Sequence, residues 1–218
     1  MKVVVVASGD FDPADATWLH DADMVIAADG GAESLDRLGR RPDLLIGDLD
    51  STGPGLVERL GAGGVRVERH PVDKEASDSE LALRAAIDAG ADEIVLLGAI
   101  GGDRLDHELA NVLLLADPVL AGRDVRLVHA GNTVRVVRSG ESLTLDGRTG
   151  DLVTLLPIGG EAAGLTTDGL RWPLDAATLR MGRSRGLSNE IVAVPASVRL
   201  DSGVLLVVER ARERGATT

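Results

Sequence analysis

A chain of 218 residues, 44% hydrophobic and 27% charged, is long enough to bury a real core in one large domain or two modest ones. Its net charge of −12 argues against binding a nucleic-acid backbone by bulk electrostatics, yet small anionic substrates stay open through a bridging divalent cation. No apolar run reaches bilayer length and Met1-Lys2 leads straight into a strand, so neither a membrane span nor a signal peptide is expected. Cysteine is absent, which removes disulfides and thiolate metal sites and fits a cytoplasmic protein. The four histidines (His20, His70, His107, His129) show no zinc spacing. Arginine supplies nearly all the positive charge, and the only lysines are Lys2 and Lys74. Aromatics are limited to Phe11, Trp18 and Trp172, so the cores must be aliphatic.

The β-branched run Val3 to Val6 predicts a buried first strand that ends at Ala7-Ser8-Gly9-Asp10. A short helix is expected over Asp15 to His20, a second strand over Met24 to Ala28, and a helix over Ala32 to Leu38 closed by Gly39. Leu44-Leu45-Ile46 is too short for a helix and is followed at once by Gly47-Asp48-Leu49-Asp50-Ser51, a strand with two aspartates at its exit. A helix from Gly55 to Leu60 and a strand from Val65 to Arg69 follow. Ser77 and Glu80 form a capping-box pattern for a helix from Ser77 to Ala89, stopped by Gly90. Glu93 to Leu97 reads as a buried strand that opens into Gly98-Ala99-Ile100-Gly101-Gly102. A helix to about Leu115 and a strand at Val125 to His129 complete the alternation. Strands and helices in turn argue an α/β domain with a parallel sheet covered by helices on both faces.

Beyond about residue 130 the helical period disappears, and short strands alternate with glycine turns. They are expected at Thr133 to Arg138, Ser142 to Leu145, Leu152 to Leu156, Leu179 to Met181, Glu190 to Val198 and Val204 to Glu209. This reads as a small all-β sandwich or barrel. The expected organisation is an α/β domain over 1–130, a β domain over 131–210, and a polar tail that frays over 211–218, with fraying from Arg210 onward.

Four acidic sites fall where a strand hands over to the next segment: Asp29, the Asp48/Asp50 pair, the stretch from Asp73 to Asp78, and the loop from Gly98 to Asp106. In a parallel sheet these exits lie along one edge, where open α/β sheets bind ligands. Two carboxylates one residue apart can face a single Mg²⁺; they can equally form a polar turn. Asp78 in a first helical turn favours the macrodipole, and Asp106 can serve as an N-cap. The glycine loop admits an anion to backbone amides, and Arg104 offers a fork suited to phosphate oxygens. It is neither a G-x-x-x-x-G-K-[ST] loop nor a G-x-G-x-x-G fingerprint.

Taken together, Asp29-Gly30-Gly31, Pro42-Asp43 with Gly47-Asp48-Leu49-Asp50-Ser51, Lys74 to Glu80, Gly101 to His107 with Asn111, and Ser184-Arg185-Gly186-Leu187-Ser188-Asn189-Glu190 resemble the thiamine pyrophosphokinase family, in the family's order. The resemblance implies ATP-dependent pyrophosphoryl transfer to the thiamine hydroxyl with release of AMP, and a homodimer with thiamine near the subunit boundary. It implies that Asp48, Asp50 and Asp78 organise Mg²⁺. It further implies that Asp29, Gly30, Lys74, Ser77, Gly102, Arg104 and His107 line the ATP site and that Asp106 belongs to the transfer site. Ser188 and Asn189 would meet the thiamine pyrimidine. Where the family often reads lysine-aspartate-x-threonine-aspartate this chain has Lys74-Glu75-Ala76-Ser77-Asp78. Where some members carry pocket aromatics it has Ile191 and Val192; Trp172 either compensates for them or, the favoured reading, lies in the core. Two other readings stay open: a pyrophosphokinase for a pterin or other heterocyclic alcohol, and a non-catalytic nucleotide- or thiamine-binding module.

Overall fold

The computed structural model describes residues 1–53 and 55–212. The chain divides into two compact units, the first Met1–Ala130 and the second from Gly131 onward. No helix of the described residues is long and apolar enough to cross a membrane.

In the first unit six strands lie side by side: β1 (Lys2–Val6), β2 (Met24–Ala28), β3 (Leu44–Gly47), β4 (Arg66–Arg69), β5 (Glu93–Leu97) and β6 (Asp124–His129). They pair in the order β6-β5-β1-β2-β3-β4, and every pairing is parallel. The central strands are apolar at nearly every position because both faces are covered. Val4, Val6, Val25, Ala27 and Leu45 join one core with Leu35 of helix α1 (Gly31–Arg37) and with Leu56 and Leu60 of α2 (Leu56–Ala62). The alternate residues Val3, Val5, Ile26 and Leu44 are buried too, as are Ala82, Leu83 and Ala86 of α3 (Asp78–Asp88). Helix α4 (Leu105–Leu114) follows β5. The expected helix near Asp15 is a 3-10 segment, Pro13–Leu19, started by the Asp12 side chain accepting from the Ala14 N–H.

Two sequence expectations at helix starts need correcting. Ser77 caps α3 by accepting from the Glu80 N–H at 3.2 Å, but the Glu80 carboxylate pairs with Arg84 instead of forming a capping contact. Asp106 is not the N-cap of α4: Arg104 stands at that position and Asp106 lies inside the first turn.

The second unit is all-β. Strands β7 (Asn132–Arg138), β14 (Val204–Arg210), β9 (Leu152–Pro157) and β12 (Asn189–Glu190) pair antiparallel in the order β12-β9-β14-β7. A second antiparallel set runs β11 (Ala177–Arg180), β10 (Glu161–Asp168), β13 (Ser197–Arg199), β8 (Ser142–Thr144). Inward residues of both sets form one aliphatic core that includes Val153, Leu155, Leu165, Leu179, Val198 and Leu205. β10 is a strand the sequence reading lacked. Its small residues and Gly164 give little β signal, and its register shifts between Ala162 and Leu165. The single strand expected over Glu190 to Val198 is two short ones, with Pro195 in the interruption. Fraying does not begin at Arg210: that residue pairs with Asn132 and Leu152, Ala211 donates to Gly131, and Arg212 donates to Asp151. The remainder of the expected tail, 213–218, lies outside the described residues.

Candidate active site

Because β1 to β5 all run the same way, their carboxyl ends share one edge, and the segments leaving them carry the acidic motifs. Asp29 follows β2, Asp48 follows β3, and Asp78 opens α3 after β4. One carboxylate oxygen from each of these three lies within 4.8 Å of the other two. Residues separated by up to 49 positions thus meet, although like charges repel.

Lys74, in the β4–α3 loop, is the cation that holds this group together. Its Nζ lies 2.8 Å from Asp48 Oδ2 and 2.8 Å from Asp78 Oδ1, and its side chain is only 13% exposed. Hydrogen bonding to Lys74 holds the Asp48 carboxyl below the usual carboxylate range. Burial alone would lower Lys74, but its close contacts with the Asp48 and Asp78 carboxylates outweigh it and the ammonium is held more firmly protonated. Asp29 moves the other way: burial raises it, and the neighbouring Asp78 and Asp48 charges add to the rise against hydrogen bonds from Ser51 and the Gly30 N–H. Asp78 Oδ1 is buried and has no well-directed hydrogen bond; its approach to Lys74 is a charge contact.

The backbone is shaped around these oxygens. Asp29 and Leu49 have positive φ values of 47° and 64°. Gly47 sits at φ 146°, where a Cβ would come within 2.8 Å of Asp78 Oδ1 and 3.2 Å of Asp29 Cβ, so a side chain there would enter the cluster. Sequence reasoning singled out Asp48 and Asp50 but assigned no role to three supporting residues. These are Gly47; Thr52, whose buried hydroxyl donates to Asp29 Oδ1 at 3.3 Å; and Glu33, which accepts from the Gly53 N–H at 2.8 Å. Gly47 and Thr52 flank the motif directly, and that adjacency was the available signal.

Asp50 is not one of the three converging carboxylates. It is exposed, its N–H donates to Asp48 Oδ1 at 3.3 Å, and its Oδ1 accepts from Ser51. Gly30 follows Asp29 at the start of α1, and Ser77 caps α3 beside Asp78. Gly102 and His107 are exposed. Arg104 and Asp106 form a two-point pair, Nε to Oδ1 at 2.9 Å and Nη2 to Oδ2 at 2.8 Å, and both are well exposed. The Arg104 contact drives the Asp106 carboxyl far below its ordinary range. Asn111 of α4, buried, donates to Ala99 O at 2.9 Å and so ties the glycine loop to the helix.

In the second unit, Ser188 is exposed with φ 55°, and its N–H donates to Thr154 Oγ1 at 3.0 Å. Asn189 is buried and its amide grips the Trp172 backbone: Oδ1 accepts from the Trp172 N–H at 3.1 Å, and Nδ2 donates to Trp172 O at 2.8 Å. Trp172 is 58% exposed with Arg171 over its ring, which corrects the expectation that it lies in the core.

Comparison with known proteins gives consistent findings. The family model described as "Thiamin pyrophosphokinase, catalytic domain" matches residues 14–127, and "Thiamin pyrophosphokinase, vitamin B1 binding domain" matches residues 139–205. The chain is similar to Thiamine pyrophosphokinase 3 of Oryza sativa subsp. japonica, at 30% identity over 77% of this chain and 71% of that one. It is also similar to the crystal structures of thiamine pyrophosphokinase from Bacillus subtilis (TM-score 0.85, 25% identity, 97% and 99% of the two chains) and Geobacillus thermodenitrificans (TM-score 0.82, 27% identity, 98% and 99%). With both family domains matched in order, the chain belongs to the thiamine pyrophosphokinase family.

Proposed function

We propose that this chain catalyses Mg²⁺-dependent transfer of the pyrophosphoryl group of ATP to the hydroxyl of thiamine, giving thiamine diphosphate and AMP. The observation that carries the site is the meeting of Asp29, Asp48 and Asp78 within 4.8 Å at the exits of adjacent parallel strands. The residues present fit the cation. The donor set is all carboxylate oxygen, as a hard divalent ion requires, and Asp78 Oδ1 is buried without a well-directed hydrogen bond. Asp29, Asp48 and Asp78 would hold it, with Asp50 adjoining through its bond to Asp48. When bound, Mg²⁺ would neutralise charge on the transferring phosphates.

The chain's own groups do the rest. Lys74, fixed between Asp48 and Asp78, places a permanent positive charge beside the triphosphate position. Arg104 can exchange its fork from Asp106 to phosphate oxygens, because the pair is exposed and local. Gly30, Ser77, Gly102 and His107 complete the ATP site in this reading. While paired with Arg104, Asp106 is a poor proton acceptor for the thiamine hydroxyl. Ser188 offers an exposed hydroxyl to the pyrimidine, and Asn189 fixes the Trp172 segment beside it. The family assignment leaves the pterin-alcohol and non-catalytic readings without a supporting observation.

A homodimer and a cytoplasmic location complete the proposal. The first is supported by the exposed stripe Leu105, Leu109 and Leu113 on one face of α4, the second by the absence of cysteine. Incubation with Mg-ATP and thiamine, followed by mass analysis, is expected to yield AMP and thiamine diphosphate in equal amounts. Neither product forming in the presence of metal would remove the assignment.

A further inference from the structure

Three arginines fall within six residues in the second unit of a chain with 35 acidic and only 23 basic side chains. Arg180, Arg183 and Arg185 line one open concavity of about 580 Å³ together with Thr178, Leu179 and Ser184. Among the described residues, none of the three forms an ion pair. Glu161 lies opposite Arg180 in the β10–β11 register yet does not come within ion-pair distance. In an acidic protein, leaving three guanidinium groups together and unneutralised costs repulsion that a polyanion would relieve.

The arginines are carried on an anchored backbone. The Arg183 N–H donates to Arg180 O at 3.2 Å, and the Leu187 N–H donates to Ser184 O at 3.1 Å, so two successive turns set their spacing. Gly186 is buried against β9. Its carbonyl accepts from the Leu155 N–H at 2.8 Å, and a Cβ there would come within 2.0 Å of Leu155 O. The same anchor continues directly into Ser188 and Asn189.

We propose that Arg180, Arg183 and Arg185 form a diphosphate-binding site, with Thr178 and Ser184 as neutral donors. Forked guanidinium groups suit phosphate oxygens, and the chain's overall negative charge favours a small ligand over a nucleic acid. Two ligands carry the chemistry, thiamine diphosphate and the polyphosphate of a nucleotide. The first of these sources rests on the proposed function, because only that reaction puts a diphosphate on a molecule held by Ser188.

The test is calorimetric titration of the full chain, without metal, with inorganic pyrophosphate, thiamine diphosphate, thiamine and ATP. The wild type is compared with R180Q/R183Q. Pyrophosphate is expected to bind the wild type, more weakly as salt rises, and to lose at least about tenfold in affinity in the variant, while thiamine binding is unchanged. Whichever of thiamine diphosphate and ATP shows the same loss identifies the source. Equal pyrophosphate affinity in wild type and variant, or none in the wild type at millimolar concentration, overturns the site. Should R180Q/R183Q not fold, R183Q alone and R180K/R183K are titrated against the same criteria. Failure of the two readings is distinguishable: a chain that binds pyrophosphate here but forms no AMP loses the proposed function and keeps this site. A chain that forms thiamine diphosphate with unchanged variant affinities loses only the site.

Discussion

Two charged clusters in the first unit make an instructive pair. Asp29, Asp48, Asp78 and Lys74 come from three strand exits and one loop and are largely buried; apart from the four-residue step between Lys74 and Asp78, they meet across long stretches of chain. Arg104 and Asp106 are two residues apart, exposed, and neutralise each other. The first arrangement is built by the sheet and persists only while the fold does. The second is a local pair in water, of the kind that contributes little to stability and changes partner readily. The proposed reaction, which brings a cation and a polyanion together, has use for both: a buried acidic floor and an exposed cationic fork.

That contrast can be broken experimentally, and the cluster should break hardest. Asp48→Asn or Asp78→Asn is expected to lower kcat by about 10²–10³-fold or more while the circular-dichroism spectrum stays native. Near-normal turnover by both variants would contradict the assignment. Gly47→Ala should lose both activity and stability, the latter by about 1–3 kcal/mol in denaturant melts, because the new Cβ meets Asp78 Oδ1 from a strained φ. An unchanged melt would show that the cluster relaxes freely.

A pH experiment separates the carboxylates by sign. Asp29 is raised in the fold, so its ionised form costs stability as pH climbs through its folded value, and a divalent cation should offset that cost. Asp48 is lowered, so its contribution is present above the unfolded value and is lost as pH falls through the folded one. The rise in melting temperature on adding Mg²⁺ should therefore shrink from about pH 7.5 to about pH 5. A shift independent of pH would place the cation elsewhere. The smallest effect is expected at the exposed pair: Asp106→Asn should keep turnover within about tenfold and leave the pH–rate profile unmoved, since Arg104 already holds that carboxyl ionised. Loss of one limb of the profile would make Asp106 the proton acceptor.

The α/β alternation was legible because buried β-branched runs such as Val3 to Val6 recur between segments of helical spacing, a pattern that a parallel sheet between two helical layers satisfies. The site was half legible. Asp48 and Asp78 announced themselves beside turn and cap residues, but that Asp29 meets them within 4.8 Å and Asp50 does not is a tertiary outcome. Which of two aspartates one residue apart turns inward depends on the backbone at Leu49, whose positive φ no residue pattern betrays. Strand β10 was invisible for a different reason: Gly164 and its small neighbours earn their place by tertiary pairing, not by propensity. The favoured core reading of Trp172 fails because Asn189, seventeen positions away, holds its backbone at the surface.

The most direct test of the acidic floor is Mn²⁺ binding followed by paramagnetic resonance in wild type, Asp29→Asn, Asp48→Asn, Asp50→Asn and Asp78→Asn. The account predicts one site that is lost or greatly weakened when Asp29, Asp48 or Asp78 is changed and only modestly weakened when Asp50 is. A site that survives in Asp29→Asn and Asp78→Asn but vanishes in Asp50→Asn would contradict it.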